Sequence, residues 1–307
     1  MKRSLLILIL LLAATSLSAQ WKVKPKFGRP RVNNVTFELQ GGAGALLIDK
    51  SMGEPTKLGF TASGNIGYTY LYGKEYGIHT GIGFSYMNSG FSSPSVESDY
   101  QDDVQTYMTG KDWTGPADFE ARTADVDETY TTLMVTIPIQ WVYTHNLFWA
   151  NIGAKLTLPI SVNADYTYGP SSRRIAYISE TQTSLPYPDH ILGSAYDEEA
   201  TTGSYTVYSL SDGIRVFVSL SVEAGFRIPQ GKDNSIYIGA YLDYAINKLT
   251  PVSDEEFLQY NVDHSVLAED YDSHFNGALR STATGGFNNF SAGVKVYYNL
   301  SFGRRIR

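Results

Sequence analysis

Eight side chains of this 307-residue chain stand where chemistry could be done. Glu38, His79, Lys155, Arg215, Glu223, Arg227, Asp243 and Lys295 each fall inside a stretch of period-two alternation, always on its polar parity. Three acids, four bases and one imidazole on one face form ion pairs before anything else, because a charge taken out of water must be paired. Strand adjacency sets Lys155 against Glu223 and Asp243 against Lys295, with Glu38 in reach of Lys295 or Arg227. Such a set can be a salt-bridge network filling a closed interior or, as the alternative, a gated ion path. Catalysis has thin support. There is no cysteine, HExxH, P-loop or nucleophile elbow, and no spacing ties His79, His145, His190, His264 or His274 to a serine. Catalytic residues, metal ligands and cofactors are therefore all expected to be none. The acidic clusters Asp125-Asp127-Glu128 and Asp254-Glu255-Glu256 raise Ca²⁺ as a minor reading, without EF-hand spacing.

The elements that must carry these residues are β-strands. Alternation recurs near 35–48, 57–72, 76–91, 129–143, 147–163, 213–228, 235–248 and 287–302, and no helical period of useful length appears. Three connections are tight (Gly73 to Glu75, Thr144 to Asn146, Pro229 to Asn234), 49–56 is modest, and 92–128, 164–212 and 249–286 are long. Soluble domains rarely need three structureless loops of that length, whereas transmembrane barrels join an even number of strands by short turns at one end and long loops at the other. The expected fold is all-β: an eight-stranded antiparallel transmembrane β-barrel with long extracellular loops. Pro138 and Pro159 fall inside strands and predict bulges, since proline removes a ladder bond.

On the apolar parity of these strands no residue is charged, although Asp, Glu, Lys and Arg make up 18% of the chain. Alternation alone does not say which face is outside; volume does. An eight-stranded barrel has an interior just wide enough for side chains to fill. The strand glycines, among them Gly42, Gly67, Gly81, Gly153, Gly225, Gly239 and Gly293, lie mostly on the polar parity, and the bulky aliphatics on the other. The apolar face therefore points out, and an outward apolar band needs lipid. Tyr70, Tyr72, Tyr76, Trp141, Tyr143, Phe148, Phe226 and Phe302 gather near the tight turns or the last strand's end and predict one interfacial aromatic girdle.

Residues 1–19 read as a signal peptide: Lys2 and Arg3, an apolar run from Leu5 to Ala14 too short to span a bilayer, then small residues. The chain then divides into a basic lead (20–34), the barrel (35–302) and a basic tail (303–307). Residues 92–128 carry ten acids against two bases, and 249–286 seven against one, so acidic loops face outward and basic ends inward. The expected location is the bacterial outer membrane, with its lipid as one partner and an envelope or secretion protein as another. The acidic balance argues against nucleic acid. The loop aromatics Tyr100, Tyr107, Trp113, Phe119, Tyr196 and Tyr205 are expected to pack in an extracellular cap.

The run YTTLMVTIPIQW, with Tyr130, Leu133, Ile137, Pro138 and Ile139, resembles a strand of the Bacteroidota-type outer-membrane β-barrel domain family (PorT-like). The segments SLSAQ, VSLSVEAGFRI and FSAGVKVYYNLSF are similar to that family as well. The resemblance implies a small transmembrane barrel, no catalytic residues, and a role accessory to protein export or envelope assembly. The expectation is a structural or interaction scaffold; a narrow channel or small-solute transporter is the alternative, and a lipid-modifying membrane enzyme the second.

Overall fold

The computed structural model describes residues 32–48, 56–72, 75–108, 111–177, 191–197, 199–230, 234–249, 257–261, 272–281 and 285–302. The signal peptide, most of the basic lead, the basic tail, His190, His264 and the cluster Asp254-Glu255-Glu256 lie outside them.

The alternation of branched and aromatic residues with polar ones resolves into strands β1 (Val32–Ile48), β2 (Gly59–Leu71), β3 (Tyr76–Met108), β4 (Lys111–His145), β5 (Phe148–Tyr168), β6 (Ser171–Tyr177), β7 (Ile191–Asp197), β8 (Thr201–Ser209), β9 (Phe217–Gln230), β10 (Asn234–Ala245), β11 (Leu258–Asn261), β12 (Asp272–Phe275) and β13 (Phe287–Phe302). Eight of them close a ring, each antiparallel to the next: β1–β2–β3–β4–β5–β9–β10–β13 and back to β1. Closure leaves the wall no free edge. Between β4 and β5 the turn is Asn146-Leu147, where Asn146 takes the left-handed conformation (φ 53°) that asparagine tolerates. Gly42 and Gly293 face each other across β1 and β13, and a Cβ on Gly42 would come within 2.5 Å of the Gly293 Cα.

Three features depart from the sequence reading. The long segment 92–128 is largely strand: β3 and β4 run on past the wall, paired from Phe91↔Glu128 out to Met108↔Lys111, with β6 added beside β4, β7 beside β6 and β8 beside β5. Pro159 sits at the bulge expected there, where Leu133 pairs with Ser161 and Met134 with Pro159, leaving Ile160 as the extra residue; the departure is its effect on the faces. The bulge reverses the parity of β5, so Val162, expected on the outer face, is 1% exposed inside. Pro138 makes no bulge. It keeps register with Lys155, and the ladder to β3 instead lapses between Thr80↔Ile139 and Gly83↔Thr136, where its missing N–H would have bonded.

The two faces differ in chemistry. Leu39, Ile66, Ile82, Ile139, Ile152, Leu220, Val222, Leu242 and Val294 are exposed around the outside. Polar and charged side chains are buried within. At the short-turn end Tyr72 and Trp141 meet edge to face at 5.4 Å, Tyr76 lies 5.3 Å from Tyr143, and the exposed Phe148 and Phe226 pair across β5 and β9. Tyr70 joins this set through Tyr72; the Phe302 side chain lies outside the described residues. Phe60, Tyr86 and Tyr244 are exposed toward the long-loop end, a second aromatic level that the sequence reading lacked.

Candidate functional site

The lumen is filled in layers. Nearest the short turns, Trp149 is fully buried, edge-on to Tyr297 at 5.2 Å and to Tyr237 at 6.0 Å, while Tyr237 and Tyr297 stack at 4.2 Å. These rings contradict an interior of small residues alone. The glycines make the room: Trp149 pairs with Gly225, Gly225 pairs with Gly239, and a Cβ on Gly239 would fall 2.7 Å from the indole.

Above the rings runs a chain of alternating basic and acidic side chains. His79 Nε2 lies 3.1 Å from Glu38 Oε1, and Glu38 Oε2 lies 3.0 Å from Lys295 Nζ. Lys295 Nζ is also 2.7 Å from Glu223 Oε2; Glu223 Oε1 is 3.0 Å from Lys155 Nζ, and Lys155 Nζ is 2.8 Å from Asp243 Oδ2. Six wall strands each contribute one member, so the chain ties β3, β1, β13, β9, β5 and β10 across the axis. Neutral donors complete it: Thr36 Oγ1 to Glu38 at 3.0 Å, Asn151 Nδ2 to Glu223 at 3.0 Å, and Thr69 Oγ1 beside His79 Nδ1 at 2.9 Å.

Among the described residues, Asp243 meets Lys155 and not Lys295 as the sequence suggested. The register explains it. Lys295 stands opposite Gly239 and Gln40, four residues short of the Asp243 level, whereas the long Lys155 side chain reaches inward to both acids. The two arginines sit apart from this chain. Arg227 Nε donates to Ser235 Oγ at 2.9 Å with its guanidinium 6.0 Å from the Tyr237 ring, at the short-turn end. Arg215 precedes β9 at the other end, 5.7 Å from the Tyr208 ring.

Beyond the ions lies a polar space of about 30 Å³, bordered by Gln40, Asn65, Thr136, Asp243, Asn289 and Ser291 among others. That volume has room for two or three water molecules at ~10–15 Å³ each. The buried Asn65 Oδ1 and Asn289 Oδ1 have no protein partner there, as polar atoms facing water would not. An apolar layer follows, with Leu46, Met87, Phe217 and Phe287 on the inner face.

At the long-loop end the structure brings together a group that the sequence reading had scattered. Glu128 is fully buried. Its carboxylate accepts from Tyr130 Oη (2.6 Å), Tyr168 Oη (2.5 Å), Tyr205 Oη (3.1 Å) and the Ala278 amide (3.1 Å to each oxygen). It lies five residues past Leu133, the last exposed aliphatic of β4, and so outside the apolar belt. Burial pushes its carboxyl above the ordinary range, against the pull of the three hydroxyls and the amide. The Asp125-Asp127-Glu128 cation cluster is thereby overturned: alternation turns Glu128 inward, while Asp127 is exposed and paired with Lys57 at 2.5 Å. Phe119 and Tyr205 join the apolar packing of this cap; the side chains of Tyr100, Tyr107, Trp113, Tyr196 and His274 lie outside the described residues. His145 is exposed at the short turn, 3.0 Å from Glu75.

A closed antiparallel ring, apolar outside and ion-paired within, defines a β-barrel of the membrane-spanning type, because an unbroken apolar belt is stable only against lipid. No protein-family model and no curated protein matches the chain. Among solved structures it is similar to Ail, the attachment invasion locus protein of Yersinia pestis, in complex with the heparin analogue sucrose octasulfate (10% identity, 88% of this chain and 99% of that one, TM-score 0.28). It is also similar to the translocator domain of autotransporter NalP from Neisseria meningitidis (8% identity, 95% of each chain, TM-score 0.23) and to a Pseudomonas aeruginosa FadL homologue (9% identity, 89% and 90%, TM-score 0.16). The strand pairing carries the fold by itself.

Proposed function

We propose that the chain is a plugged β-barrel of the bacterial outer membrane that serves as a scaffold, anchoring a large external cap for interaction with another envelope component. One observation carries this reading: the charge chain from His79 to Asp243 spans the lumen and stands on a layer of stacked aromatic rings. A pore would need that space open. The PorT-like resemblance points the interaction toward protein export or envelope assembly. The acidic cap face, where Glu97 pairs with Arg122 at 2.5 Å and Asp99 stands opposite Glu120, supplies a polar surface for such an interaction.

Purified protein in planar bilayers is expected to show no large, stable conductance. Crosslinking in intact cells is expected to trap a discrete envelope partner through the cap. Steady conductance from the wild-type chain would overturn the plugged reading.

A further inference from the structure

The loop between β10 and β13 is built differently from the other two long connections. Those connections continue the wall: β3 and β4 run on, β6 pairs onto β4, β7 onto β6, and β8 onto β5. Hairpin β11–β12 instead forms a two-stranded sheet of its own. Among the described backbone bonds those of the hairpin and its following turn are internal, with Asn276 N–H to Phe257 O at 2.9 Å and Ser281 N–H to Gly277 O at 3.1 Å. The base of the loop is drawn shut by Leu249 and Phe287, which exchange backbone bonds at 2.9 and 3.0 Å. Directly before Phe287 stand Gly285 (φ 66°) and Gly286 (φ 105°), a pair free to turn where other residues are strained.

The turn after β12 nevertheless sits deep. Asn276, Ala278, Leu279 and Ser281 are all buried, and Ala278 and Leu279 close over the apolar layer of the lumen. Three contacts that hold it there converge on one place. The Ala278 amide donates to both Glu128 oxygens, Phe257 meets the Tyr168 ring edge to face at 5.6 Å, and Gly277 lies so close to the Tyr205 ring that a Cβ would collide with it. Tyr168 and Tyr205 are themselves two of the hydroxyls bonded to Glu128.

We propose that hairpin β11–β12 and the turn Asn276–Ser281 form a lid over the external mouth, latched to the wall by the Glu128–Tyr130–Tyr168–Tyr205 cage and able to lift about Gly285-Gly286 while the barrel stays folded. Among the described residues the strands of the lid bond to each other, and no wall ladder runs through them. Lifting it uncovers the apolar floor of Leu46, Met87, Phe217 and Phe287, and turns a polar, sealed external end into an apolar recess rimmed by one carboxylate and three phenols. This goes beyond the scaffold reading: it makes the cap a two-state surface.

The absence of cysteine gives the test a clean background. Ala278→Cys places a thiol on the buried lid and Ser221→Cys one in the buried lumen below. Both are challenged in vesicles with a water-soluble methanethiosulfonate carrying a sulfonate. Glu128→Ala removes the acceptor for four donors, and Gly277→Val forces the lid off the Tyr205 ring from the other side. Each is expected to raise labelling at position 278 by about tenfold or more over the parent, while position 221 stays protected. Equal labelling at 278 in parent and both variants would overturn the latch. Labelling at 221 as well would show that the loop cannot leave without the barrel failing, and would overturn the lid.

Discussion

Glu223→Ala is expected to lower the unfolding free energy of the barrel by about 3–5 kcal/mol. Glu223 is the acid at the centre of the lumen. It is 1% exposed, with Lys295 and Lys155 Nζ at 2.7 and 3.0 Å and Asn151 donating at 3.0 Å. Removing it leaves two buried ammonium groups short of an acceptor in a space too small to hydrate them fully, and that cost outweighs the attraction lost. The matching change at the surface, Glu75→Gln, breaks the exposed contact with His145 and is expected to cost no more than about 0.5 kcal/mol. Denaturant midpoints of protein refolded into vesicles, followed by the mobility shift of folded barrels on gels, separate the two. Similar costs for both would mean that the lumen is wet.

The second large effect is on the opposite face. Ile152→Arg puts a charge on a residue 59% exposed, on the outer face of β5 four residues in from Phe148 and one position from buried Asn151. If the belt meets acyl chains near their midplane, the cost is ~2–4 kcal/mol; if it meets water, the cost is close to nothing. The same substitution at Leu147, equally exposed but within the turn beyond β4, falls at the interface and is expected to cost at most about 1 kcal/mol. A depth-dependent penalty is what lipid imposes on a barrel wall. Insertion and denaturant stability of the two variants, measured side by side, report it.

The wall was legible because its strands alternate strongly. FNNFSAGVKVYYNLSF reads as one strand from Phe287 to Phe302 and is one. The long extensions of β3 and β4 were not legible. Segments such as SSPSVESDYQ put small and charged residues on one face and only scattered Val96, Phe119 and Val126 on the other, so the period-two contrast fades although the pairing persists. The reversal at Ile160 is local geometry with no compositional mark beyond Pro159. Glu128 was counted with an acidic run. Its parity, two residues before Tyr130 and four before Thr132, both buried, was the signal that it points inward. Trp149, Tyr237 and Tyr297 carried a similar signal: each is a large ring on the parity opposite the aliphatics, and glycines stand across from Trp149 where its indole needs space. Asp243 went to Lys155 because side-chain reach, not strand adjacency, decides pairing in a narrow lumen.

The two tryptophans of the β4–β5 hairpin offer the most direct test of orientation. Trp141 is 48% exposed on the outer face of β4, and Trp149 is fully buried in the lumen a few residues later. The chain has four tryptophans, so variants keeping only Trp141 or only Trp149 isolate each. In vesicles of brominated phosphatidylcholine, Trp141 fluorescence should be strongly quenched and Trp149 fluorescence nearly untouched. Quenching of Trp149 with Trp141 spared would place the aliphatic face inward, and the membrane-spanning barrel would be the wrong account of this chain.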